Sequence, residues 1–200
     1  MQELKFAHTL LLGVIASMLE ENNGKLIPVS SEEISRRFAL TAAFVQGIFL
    51  CEQAILQGQY LQAGALARQE YDALAALSEI RAKQRKDGIA PNAKYFPWKG
   101  NKHYGMLSAF AHLSDQRILD TLIGYNTSWG DFASTVPQYQ KINGSTMYAL
   151  HTMLVLGLVD ELRTLYDDMY GYKCSQREVD AVDNVFSILV KHGIFKTPKH

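Results

Sequence analysis

Apolar residues recur at helical spacing along most of the chain. Leu4, Ala7, Leu11, Val14, Ile15 and Met18 fall on one stripe, and Asn22-Asn23-Gly24 stops it. Ser30 and Ser31 are N-cap candidates, and Ser30 to Glu33 matches a Ser-x-x-Glu capping box. The helix it opens runs to Gln57, with Ile34, Phe38, Thr41, Val45, Ile48, Cys51 or Glu52, and Ile55 along one side. Gly58 breaks it. A third helix covers Gln59 to Arg85, rich in the strong helix formers Ala and Leu. Two long helices joined by one Gly turn predict an antiparallel hairpin.

Residues 86–103 interrupt this pattern. Lys86-Asp87-Gly88, Pro91 and Pro97 forbid a continuous helix. A short helix is expected at Tyr104 to Leu113. An irregular insertion follows at 124–144, where Phe132 to Gln140 is a candidate for a short β-hairpin. Helical spacing returns from Ser145 to Tyr170 and again from Ser175 to Lys191. Ser175 with Glu178 reads as a cap for the last helix, and Gly193 as its end. The expected class is all-α: one domain over residues 1–200, an up-and-down helical bundle with an irregular basic loop.

Composition narrows the class further. The 200 residues are 48% hydrophobic and 20% charged, which excludes a disordered or collagen-like chain. Twenty Lys and Arg balance twenty Asp and Glu. Two cysteines cannot make a disulfide scaffold, so reduced thiols and a cytoplasmic location are expected. The apolar stretch 6–19 is shorter than the roughly 20 residues a membrane span needs. Glu3 beside Lys5 denies it the flank of a signal peptide. The stretch 38–51 is broken by Thr41 and Gln46. Both are expected to be buried core helices, with no membrane contact.

The neutral total hides a basic loop. Residues 81–102 carry seven cations against Asp87 alone. Tyr95, Phe96 and Trp98 lie among them. Cations that track phosphates and rings that stack bases make Lys94, Trp98, Lys99 and Lys102 candidates for single-stranded nucleic-acid contact. The competing reading pins the rings onto the bundle and leaves the lysines in solvent.

A polar constellation falls on two helices. In the third, Arg68 and Asp72 form an i, i+4 pair on a face of small residues. Glu70 sits in an adjacent apolar row and needs a partner from another element, because a lone buried charge is costly. In the short helix, Tyr104, Ser108 and His112 share a side. Arg68, Tyr104 and His112 are the catalytic candidates, with Glu70, Asp72 and Ser108 in support. The competing reading is a buried polar network that fixes helix register. A small-ligand pocket between the two helices is a third reading.

No metal or cofactor is expected. Cys51 and Cys174 are isolated from histidines in sequence, and no Glu is followed by His three residues on. His8, His151 and His192 stand singly. Phosphate loops and the Gly-x-Ser-x-Gly elbow are missing from the sequence.

The run from Gln59 to Leu74, with Gly64, Ala65 and Arg68, and the run from Tyr104 to Ser114, with Tyr104, Leu107, Ser108 and His112, resemble two helices of bacterial proteins grouped with the HEPN-like superfamily. The resemblance covers about residues 30 to 120. It implies a helical bundle, often a homodimer, associated with metal-independent RNA cleavage in toxin and phage-defence systems. Active members carry an Arg followed four to six residues later by a His. This chain has no such pair, and His112 is instead followed by Arg117. The expected function is therefore a non-catalytic interaction module, or one binding a ligand, RNA or protein partner. The alternative is a ribonuclease effector in which His112 moves the proton and Arg68 steadies the phosphate.

Overall fold

A computed structural model describes residues 1–26, 31–98, 103–113, 115–127 and 130–195, with the side chains of 125–127 and 130–132 left aside. Within them the protein is an all-α helical bundle. Its helices are α1 (Gln2–Asn22), α2 (Glu32–Leu56), α3 (Tyr60–Arg81), α4 (Tyr104–His112), α5 (Gln116–Ile123), α6 (Lys141–Tyr170) and α7 (Gln176–Lys191).

The longest helix, α6, is the axis. Every residue from Met147 to Val159 is buried, and a helix apolar all round belongs inside a fold. Its 30 residues extend about 45 Å at 1.5 Å per residue. α1, α2, α3 and α7 all pack against it. α1 contributes the stripe read from the sequence, Leu4 to Met18, and places His8 within it. α2 and α3 form the expected antiparallel hairpin. Gly58 between them has φ +75, and a Cβ there would lie 2.6 Å from the Gln138 carbonyl. The turn therefore requires glycine on both conformational and steric grounds.

Boundaries moved where capping chemistry came from a distance. Ser31 caps α2, its hydroxyl accepting from the Ile34 amide at 3.1 Å; Ser30 lies outside the described residues. α3 ends at Arg81, four residues before the expected Arg85. Beyond it, Arg85 bonds Glu79 and the Ile89 carbonyl, and the Glu79 carboxylate accepts from the Asn92 amide. α6 starts a turn before the expected Ser145. The Tyr60 hydroxyl donates to the Gln140 carbonyl at 3.0 Å and accepts its amide at 2.7 Å, holding that N-terminus from eighty residues away. α5, capped by Asp115, was not expected. The last helix begins as read, with the complete Ser175–Glu178 capping box.

The strand pair in the insertion runs Gly124–Thr127 against Gly130–Ala133, antiparallel. The expected stretch, Phe132 to Gln140, instead leads into α6 and carries only the end of the second strand.

Two helices are long and apolar enough to cross a membrane by length and composition. In α6, 78% of the apolar window is buried, against 33% in α2. The expectation that 38–51 is a buried core helix therefore holds for one face of α2 only. Its other face is open.

Candidate functional site

The seam between α3 and α4 holds part of the sequence-derived constellation. Arg68 is buried, its Nε donates to Asp72 at 3.0 Å, and its guanidinium lies 4.0 Å from the centre of the Tyr104 ring. Burial works to lower the Arg68 pKa, but Asp72 and Tyr104 outweigh it and hold the group above its ordinary value. Burial likewise raises Asp72, against the pull of Arg68. Tyr104 also meets the edge of Tyr71, centroids 5.8 Å apart.

His112 does not join them. Phe110 packs into the space over Gly64, one turn before Arg68 on α3. α4 therefore runs antiparallel to α3, and its C-terminal end leads away from Arg68. His112 stands eight residues beyond Tyr104, about 12 Å along the helix, and is exposed. Ser108 is half-buried midway.

Glu70 points elsewhere. Its partner is His151 of α6, whose Nδ1 lies 2.9 Å from Glu70 Oε2, both side chains buried. The expected single network of Arg68, Glu70, Tyr104 and His112 is thus divided: Arg68 stays with Tyr104, Glu70 joins a second cluster, and His112 is exposed apart from both. The second draws on four helices. The ring of His8 from α1 lies 5.0 Å, centroid to centroid, from that of His151. His8 Nδ1 lies 3.5 Å from Glu52 of α2, and Glu52 accepts the Tyr148 hydroxyl in a short hydrogen bond. Cys51, also on α2, is buried beside Glu70.

Electrostatics in this cluster follow from dryness. Burial, helped by nearby His151 and opposed by Glu52, pushes the His8 pKa down to about 4. Burial and then the Glu70 and Glu52 carboxylates push the Cys51 thiol up. Burial and Glu52 do the same to the Tyr148 hydroxyl. Three buried polar atoms have no hydrogen-bond partner: His8 Nε2, His151 Nε2 and Glu70 Oε1. Cys51, Glu70 and His151 each offer a donor atom, and these atoms lie within 4.8 Å of one another.

Sequence reasoning passed over this cluster because it looked for ligands at short spacing. Cys51, Glu70 and His151 are brought together only by packing. A signal existed in the apolar stripes, which carry polar exceptions: His8 in α1, Glu52 as well as Thr41 in α2, and Glu70 in α3.

Among its described residues, the basic loop is held through Phe96. Phe96 is buried and stacks on Tyr71, centroids 3.9 Å apart and planes within 2°. Trp98 meets Phe96 and Phe195 edge-on and walls a cavity of about 290 Å³ shared by α1, α6 and α7. Lys94 lies over the Tyr95 ring at 4.8 Å. Lys99 and Lys102 lie outside the described residues.

Comparison with protein-family models, with curated proteins and with solved structures finds no match to this chain.

Proposed function

We propose that the protein is a cytoplasmic, self-associating interaction module of HEPN-like type, and that it pairs as a homodimer through α2. One observation carries this reading. The exposed face of α2 presents Ala39, Ala42, Ala43, Gln46, Phe49 and Leu50, about three turns without a charge. Phe49 is 64% exposed and Leu50 59%. An apolar stripe of this size in water marks an interface.

The pattern of sizes favours a second copy as occupant. Gln46 sits at its centre. Small residues lie three and four positions before it, large ones three and four positions after. An antiparallel pairing about a two-fold axis at Gln46 sets Phe49 and Leu50 of one copy over Ala43 and Ala42 of the other. Knobs then meet holes twice, and the two Gln46 amides face each other. α3 and α4, the two helices that carry the resemblance, pack directly on each other, Tyr104 on Arg68 and Phe110 on Gly64. A ribonuclease step is not part of this reading, because His112 and Arg68 point to different surroundings.

Light scattering at micromolar concentration is expected to give twice the chain mass, and Ala43→Glu to give a folded monomer. In a Cys174→Ser background, Gln46→Cys is expected to cross-link to itself under mild oxidation, while a cysteine at exposed Gln2 is not. A clean monomer, an unlinked Gln46→Cys variant, or binding to lipid vesicles in place of self-association overturns the reading.

A further inference from the structure

Four helices send polar side chains into one dry cluster in the bundle core, and three of those side chains are arranged as ligands. We propose that Cys51, Glu70 and His151 form a binding site for a borderline-soft divalent transition-metal ion, zinc foremost.

The donor atoms come from α2, α3 and α6 and lie within 4.8 Å of one another, all in buried residues. A tetrahedral zinc site with bonds of about 2.0–2.3 Å sets its ligands about 3.5 Å apart, so modest closure of these side chains completes the site. The chemistry of the set selects the ion. One sulfur, one imidazole nitrogen and one carboxylate oxygen suit zinc or cobalt, whereas calcium and magnesium want oxygen alone. Charge agrees: a thiolate and a carboxylate neutralise a divalent cation, leaving no net charge in the core.

A second, independent observation points the same way. Glu70 Oε1 and His151 Nε2 are buried without a hydrogen-bond partner, and so is His8 Nε2 on the neighbouring ring. A network built only to fix helix register would satisfy its own members. Here a carboxylate oxygen and two ring nitrogens are left without a polar partner, the Cys51 thiol being the donor beside Glu70. His8, braced by Glu52, which Tyr148 holds, sets its ring beside that of His151. A cavity of about 100 Å³ between α2 and α3, lined by Glu70, Phe44, Gly47 and Gln69, gives the carboxylate a way to solvent.

Binding balances simply. The Cys51 S–H bond breaks, its proton passes to buffer, and a sulfur–metal bond forms. Glu70 and His151 give up their mutual hydrogen bond to the ion, and the hydrogen they shared ends on His151 Nε2. No electron is transferred. All three ligands belong to one chain, so ion binding is tested apart from the homodimer, although Ala43, which also lines the cavity beside Glu70, belongs to the face proposed to pair.

The test uses the full chain stripped with a chelator and titrated with cobalt(II) and then zinc. One ion per chain is expected, with a thiolate-to-cobalt charge-transfer band that zinc bleaches. Cys174→Ser is expected to keep the band. Cys51→Ser is expected to abolish it, and His151→Gln to weaken binding at least about tenfold. Substoichiometric uptake, a cobalt spectrum without thiolate character, or a band lost with Cys174→Ser overturns the site and leaves a register-fixing network. Because the band and its assignment are read on the unmutated chain and on Cys174→Ser, failure of a core variant to fold does not block the decision.

Discussion

His8 is the residue whose environment most restricts its chemistry. It is buried in the α1 stripe, next to the His151 ring, and burial is the main cause that lowers its pKa to about 4. The linkage has a definite sign. The unfolded chain takes up a proton on His8 near pH 6.5 and the folded chain does so only near 4. Stability from this residue is therefore full above pH 6.5 and falls as pH drops toward 4, by on the order of 1–3 kcal/mol. Urea unfolding between pH 7 and pH 4.5 should show that decline, and His8→Leu should flatten it. A profile unchanged by the substitution would assign the decline to other groups.

Arg68 and Glu70 show how two positions on one helix come to serve different surroundings. They are two residues apart, so they point about 200° away from each other at 100° per residue. Arg68 meets α4 and Tyr104, while Glu70 meets α6 and His151. Sequence spacing showed that Glu70 needed a partner. It could not show which of six histidines would supply one, because the contact spans eighty-one positions.

Among the elements, the α2–α3 turn is the tightest constraint. Gly58 combines a left-handed backbone with backbone contact to Gln138. Gly58→Ala is expected to cost about 2 kcal/mol or more, since strain and collision add. The midpoint of chemical unfolding should fall accordingly. Gly171→Ala has left-handed backbone but open space around it, and so should cost less. At this scale the periodic pattern placed the long helices well, because each buries one stripe and local spacing records that stripe. The ends were less legible. Tyr60 holds the start of α6 and Glu79 accepts from the Asn92 amide beyond α3, and neither interaction is local in sequence.

For the molecule as a whole, the question is what covers α2. A helix with one face in the core and an uncharged opposite face leaves apolar area in water, at roughly 25 cal/mol for each Å² that a partner could cover. If a second copy covers it, unfolding becomes linked to association. The thermal midpoint should then rise with protein concentration, and should stop doing so in Ala43→Glu. A midpoint independent of concentration in the unmutated chain would remove the pairing. The loop at 86–103 shows the same dependence on the whole. Its aromatics read as anchors or as base-stacking rings; Phe96 is buried against Tyr71, while Trp98 meets Phe195 and stays 44% exposed.

The sequence by itself determined the long helices, their approximate lengths and the hairpin of α2 and α3 from the order of apolar positions, and the capping box of α7 from Ser175 and Glu178. Each of these depends on interactions within a few residues, which spacing preserves. Tertiary structure alone decided that α6 is the axis, that Arg68 and His112 part company, and that Cys51, Glu70 and His151 share one dry space. Those outcomes depend on which faces of distant helices meet, and no local pattern in a single chain encodes that choice.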